Sequence, residues 1–218
     1  MPPPPRPRVH APYYSLWLGG SLGIMGYGGG VYINDPNLGN VESIGNFIRP
    51  GLALQLDVGA RLARRFIPYV ALELGLAGPG HRFDGTQTNA GSSFFGVGVR
   101  FLAGDVDNIA FASDLSFGVR QLGVSNGGGS WSASGIELLR LGIGAEIRLA
   151  THLTLSPMIT LSGGSFTDTN GNVAYAPNQV DLATGPAFVN GASIPGAYRT
   201  TYYAIVVGCG AHFDLFGR

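Results

Sequence analysis

The sequence contains no lysine: its 13 basic side chains are all arginines, and 13 Asp and Glu residues balance them to a formal net charge of zero. Without a positive surplus there is no electrostatic footprint for nucleic acid, whose binding rests on neutralised phosphates. Charge of either sign is scarce, at 12% of the 218 residues, against about a quarter in an ordinary soluble domain. One cysteine, Cys209, excludes an intrachain disulfide and reads as a small apolar strand residue. No apolar run reaches the roughly 18 residues of a membrane-spanning helix. The opening MPPPPRPRVHAP lacks an apolar h-region, so no signal peptide is visible, and an exported form would be a trimmed one. Residues 1–12 read as a stiff Pro/Arg-rich polyproline arm or linker.

What the chain has instead is alternation. In "GLALQLDVGARLARRFIPYVALELGLAG", residues 51–78, Leu52, Leu54, Leu56, Val58, Ala60 and Leu62 alternate with Gln55, Asp57, Gly59 and Arg61. Beyond a tight joint, Val70, Leu72, Leu74 and Leu76 alternate with Tyr69, Ala71, Glu73 and Gly75. A period of two predicts strands, and the short joint a hairpin. Eight such segments occur, near 13–25, 49–62, 66–77, 92–103, 107–121, 135–149, 152–164 and 199–215. No stretch carries a helical period. The joints near 63–65, 104–106 and 150–151 are short, whereas 26–48, 78–91, 122–134 and 165–198 read as long, polar, Gly-rich loops. Short joints then lie at one end of the sheet and long loops at the other. An even strand count brings both termini to the short-joint end.

One face of these strands is bulky Leu, Val, Ile and Phe; the other is mostly Gly, Ala and Ser with a few charges. A soluble barrel would wet a face rich in Lys, Glu and Asp. Small residues suit the crowded inside of a narrow barrel, and a nearly unbroken apolar face suits hydrocarbon. An arginine on the lipid face at the midplane costs roughly 2–4 kcal/mol, and no segment places one there. About 9–11 tilted residues cross the hydrocarbon, and the segments supply them. Aromatics collect near strand ends, as interfacial girdles require: Tyr13, Tyr14, Tyr69, Phe101, Phe111 and Phe213 at the short-joint end, and Tyr27, Phe47, Phe94, Phe95, Trp131, Tyr202 and Tyr203 at the other. Unpaired edge amides are costly in lipid, so the sheet must close. The expected fold is all-β: a closed eight-stranded antiparallel up-and-down transmembrane β-barrel over residues 13–216.

The eight strands, the alternating connection lengths and the final strand "YYAIVVGCGAHFDLF" resemble the small outer-membrane barrels of the OmpA/OmpX type. The closing alternation with Phe213 and Phe216 is similar to the C-terminal signal of bacterial barrel insertion. The resemblance covers residues 12–216 and implies short turns and both termini in the periplasm, with long loops at the surface of the bacterial outer membrane. It also implies lipopolysaccharide against the outer half of the wall and phospholipid against the inner half.

The charges on the small-residue face point inward. A register pairing Leu56 with Leu74 sets Asp57 beside Glu73, two carboxylates that need cations nearby. Arg61, Arg100, Asp114, Arg140, Glu146 and Arg148 project into the same space, giving a mixed-sign network that fills the lumen. It acts as a structural plug or, alternatively, as the gate of a narrow channel. Losing Arg140 should then cost more stability than losing Arg82 in a loop.

Little else suggests chemistry. His81 lies in a loop beside Arg82 and Asp84, which keeps open a lipid A-modifying enzyme; His152 and His212 fall at the opposite end and His10 in the arm. "DTNGN", Asp168–Asn172, resembles the start of a calcium loop without its closing glutamate. "GYGGG" and "NGGGS" read as flexible loop. No metal or cofactor motif is present. The sequence predicts a non-catalytic outer-membrane barrel that anchors or binds through its surface loops or its arm, with an envelope protein as a possible partner.

Overall fold

The computed structural model describes residues 9–83, 88–126, 129–171 and 186–217. Eight long strands carry the fold: β1 (Tyr14–Asp35), β3 (Ile48–Leu62), β4 (Phe66–Pro79), β5 (Thr88–Gly104), β6 (Ile109–Asn126), β7 (Gly129–Ala150), β8 (Leu153–Gly171) and β9 (Tyr202–Leu215). Each pairs antiparallel with its neighbour, and β9 pairs with β1, so the sheet is a closed ring. A short strand, β2 (Asn40–Ser43), folds back on the far end of β1. The first and last described residues lie at the short-turn end, where Pro12 packs on Gly217.

Outside the ring the belt is apolar. Leu22, Ile24, Leu54, Leu56, Leu72, Leu74, Phe117, Val119, Leu141, Ile143, Ile159 and Val207 are all exposed there. Such a surface is stable only against hydrocarbon, and ring closure leaves these eight strands no open edge in it.

The strands run well past this belt into the predicted loops. The inversion of polarity explains why they read as loops. On β7 above Ile136, Trp131 and Ala133 are buried inside while Ser130, Ser132 and Ser134 face out; on β6, Leu122 and Val124 point in and Gln121 and Ser125 out. Where the surroundings change from lipid to water, the greasy face must change sides. "GYGGG" continues β1, with Gly29 at φ +83°. Asp168–Gly171 close β8, and Asn172 lies outside the described residues.

Several expected girdle aromatics accordingly turn inward. Phe47, Phe94, Trp131, Tyr202 and Tyr69 are buried, and Tyr27 bonds Ser92 inside the ring. Tyr13, Tyr14, Phe101, Phe111 and Phe213 remain outside at the short-turn end, joined by Phe66, as do Phe95 and Tyr203 toward the other end. Phe47, Trp131 and Tyr202, with Phe166, cap the far end of the lumen, whereas Tyr69 packs by Trp17 and Phe94 lies deeper in it. Phe47 stacks on Trp131 at 4.6 Å and Phe166 on Tyr202 at 4.6 Å. The segment after residue 185 folds over them, with Phe188 edge-on to Tyr32 and Val189 accepting a 2.9 Å bond from Trp131 Nε1. Tyr175 and Pro177 of that connection lie outside the described residues.

Candidate functional site in the barrel lumen

Alternation sends the charged side chains into the ring, and strand register decides which of them meet. The β3–β4 turn spans three residues, with Leu62 paired to Phe66 and with Ala63 and Arg64 at φ 48° and 67°. This corrects the expected register. Leu56 pairs with Leu72, Asp57 faces Ala71, and Glu73 faces Gln55. A slip of two keeps every side chain on its face but separates the two carboxylates, and each finds its own partner.

The partners form three tiers. At the short-turn end, Arg61 bonds Glu146 and Asp214, each at 2.8 Å, and Arg148 bonds the same two carboxylates at 3.3 and 3.1 Å. Ser15 donates to Asp214 at 2.6 Å. In the middle, Arg100 grips Asp114 through two bonds of 2.7 and 2.8 Å, with its guanidinium 5.0 Å from the Trp17 ring. Gln55 donates to Asp57 at 2.8 Å, and His212 Nε2 lies 3.6 Å from that carboxylate. At the third tier Arg120 lies between Glu73, at 3.0 Å, and Glu137, while Arg140 bonds Glu73 and approaches Glu137 at 3.5 Å. Phe94 lies under both guanidinium groups, and Tyr202 donates to Glu137 at 3.3 Å.

All eight residues predicted for the lumen network therefore lie in the lumen. Four more charged or titratable groups join them: Arg120, His212 and Asp214, which alternation sets on the same small-residue face, and Glu137, which it does not. Glu137 is concealed by a β-bulge: Ser116 pairs with Arg140 but Gly118 with Glu137, so Leu138 and Leu139 together oppose Phe117. Both leucines face out, and Glu137 and Arg140 both face in. The doublet Leu138–Leu139 beside two charges was the available signal. Arg82 is not the free loop residue expected of it, since it pairs with buried Glu42 at 3.0 Å and lies over Phe47. Asp84 falls outside the described residues, so the expected grouping around His81 does too.

Ser156, His212 and Asp57 form a chain, with Ser156 Oγ 3.1 Å from His212 Nδ1 and the imidazole stacked on Trp17 at 4.3 Å. It borders a cavity of about 40 Å³ between the middle and third tiers, room for two or three waters at about 15 Å³ each and none for an organic substrate. Among the described residues no cluster of His, Cys, Asp and Glu is arranged to hold a metal.

At the short-turn end, Asp107 in the β5–β6 turn gathers the start of the chain. It accepts from the Ala11 amide at 2.8 Å, from Arg64 and from His10 at 3.0 Å. Burial pushes the Asp107 carboxyl up, but those three donors push it further down, well below the usual carboxylate range.

A closed ring of eight antiparallel strands, apolar outside and ion-paired within, is the fold of the small outer-membrane β-barrels of the OmpA/OmpX type. Solved structures of the same architecture include Neisserial surface protein A, with 9% identity and a TM-score of 0.55 over 91% of this chain and 97% of that one. OprG from Pseudomonas aeruginosa is 10% identical with a TM-score of 0.49, covering 95% and 99%. Ail of Yersinia pestis is 11% identical with a TM-score of 0.43, covering 91% and 99%. At these identities the likeness is one of fold. No family model matches the chain, and no curated protein is similar to it in sequence.

Proposed function

We propose that the protein is a plugged, non-conducting barrel that works through its two ends, as an anchoring or binding component of the outer membrane. The filled lumen carries this reading. Three tiers of ion pairs occupy it, and an aromatic cap closes its far end, so solute passage would require breaking buried pairs and unstacking the cap together. The short-turn end then faces the periplasm and the cap faces the cell exterior. The Asp107 contacts hold His10 and Ala11 at the short-turn end, and a periplasmic envelope protein is the partner this reading assigns to residues 1–12. The rival narrow channel predicts open pores. Purified protein in planar bilayers should show no unitary conductance; a reproducible single-channel step at neutral pH would overturn the proposal.

A further inference from the structure

The lumen does not balance its own charge. Among the described residues, Arg61, Arg100, Arg120, Arg140 and Arg148 face into it, and their ion pairs take up Glu146, Asp214, Asp114, Glu73 and Glu137. Asp57 is one carboxylate more. It is equally buried, and its neighbours are Gln55, which donates to Oδ1 at 2.8 Å, and His212. A carboxylate left unpaired inside a lipid-walled lumen costs several kcal/mol, so one positive charge is needed beside it.

A proton shared with His212 does not fit the geometry. It would draw Nε2 and the carboxylate to about 2.7–2.9 Å, the length of a charge-assisted N–H···O bond. They stand 3.6 Å apart, too far for a hydrogen bond, and Nε2 is buried with no hydrogen-bond partner. Nδ1 is turned to Ser156 Oγ at 3.1 Å. An imidazole protonated there presents its Nε2 lone pair to the space beside Asp57.

That space is the cavity of about 40 Å³, bordered by Asp57, His212 and the hydroxyl-bearing Ser21, Ser156 and Thr160. Two further carboxylates border it already paired, Glu73 with Arg140 and Asp114 with Arg100. The lining therefore carries a single excess negative charge. An anion would deepen the imbalance, and a divalent cation would reverse its sign. The volume admits a small ion with its waters and no organic ammonium. Carboxylate and hydroxyl oxygens suit a hard cation, which does not need the imidazole and thiolate ligands that hold a transition metal.

We infer that this cavity binds one alkali-metal cation on the Asp57 carboxylate, with Ser21, Ser156 and Thr160 supplying neutral oxygens, and that the ion completes the plug. The inference rests on the filled lumen proposed above.

Urea unfolding of the whole protein in vesicles of zwitterionic lipid tests it. The protein is refolded in sodium chloride or, at equal ionic strength, in N-methylglucamine chloride, whose cation is too large for the cavity. The folding equilibrium constant of wild type should be at least about tenfold larger in sodium, the gain expected once the ion exceeds its dissociation constant by about that factor. Asp57→Asn balances the lumen without an ion and should be equally stable in both salts. Thr160→Val keeps the charge and removes one oxygen, so it should need about tenfold more sodium for the same gain; it keeps the test decisive should Asp57→Asn fail to fold. Replacing chloride with gluconate should change nothing. Wild type indifferent to sodium, either variant as sodium-dependent as wild type, or a dependence on chloride overturns the inference alone. Single-channel conductance at neutral pH would instead overturn the filled-lumen reading beneath it.

Discussion

Glu137 has no exposure to water and stands between two arginines, Arg120 and Arg140. Removing one member of a buried ion pair typically costs about 3–5 kcal/mol, because the abandoned charge stays desolvated. Glu137→Ala should lower unfolding stability by about that amount. Arg65→Leu, exposed in a turn and held by one 3.3 Å bond to Leu102, should shift it by no more than about 0.5 kcal/mol. Urea unfolding in lipid vesicles compares them, and equal midpoints would mean the third tier does not hold the barrel together. Arg82 makes a poor control because it is itself paired with Glu42. The inward direction of Asp57, Arg100 and Arg140 was legible from alternation; their partners were not, because a pair depends on register between strands.

The bulge on β7 is the clearest case of an element that alternation misreads. Leu138 has no partner on β6 or β8, while Glu137 and Leu139 are paired on β8 as though it were absent. Deleting Leu138 should therefore preserve both ladders and the inward direction of Glu137, losing only the local twist a bulge provides. Deleting Val119 from the unbulged part of β6 would throw either Arg120 or the residues before it onto the wrong face. Folding yield by heat-modifiable migration should be retained for the first deletion and lost for the second; the reverse order would refute the bulge assignment. Strand ends were the other illegible feature. The segments were read as ending near the hydrocarbon boundary because the apolar face ends there, yet the hydrogen-bonded ladders continue, with a core of Trp131, Phe166 and Leu122 moved to the inside.

At the scale of the whole molecule the ring is sealed at one end by aromatics and joined at the other to the start of its own chain. Because the Asp107 carboxyl is depressed on folding, its contribution is complete above the ordinary carboxylate value of about 3.9 and fades as pH falls through the lower folded value. The Ala11 amide should be equally protected from hydrogen exchange at pH 7 and pH 5 and released only in strong acid, whereas Asp107→Asn should release it at every pH. Loss of protection by pH 5 in the wild type would count against this clasp. The sequence by itself determined that the chain makes eight strands with an apolar outer face and charges inside, because a period of two and a choice of solvent need only local order. Tertiary structure alone decided which charge meets which, that the far loops are strands with an inverted face, and that aromatic rings stack across the far end. Those outcomes depend on turn length, one bulge and ring closure, each of which relates residues far apart in the chain.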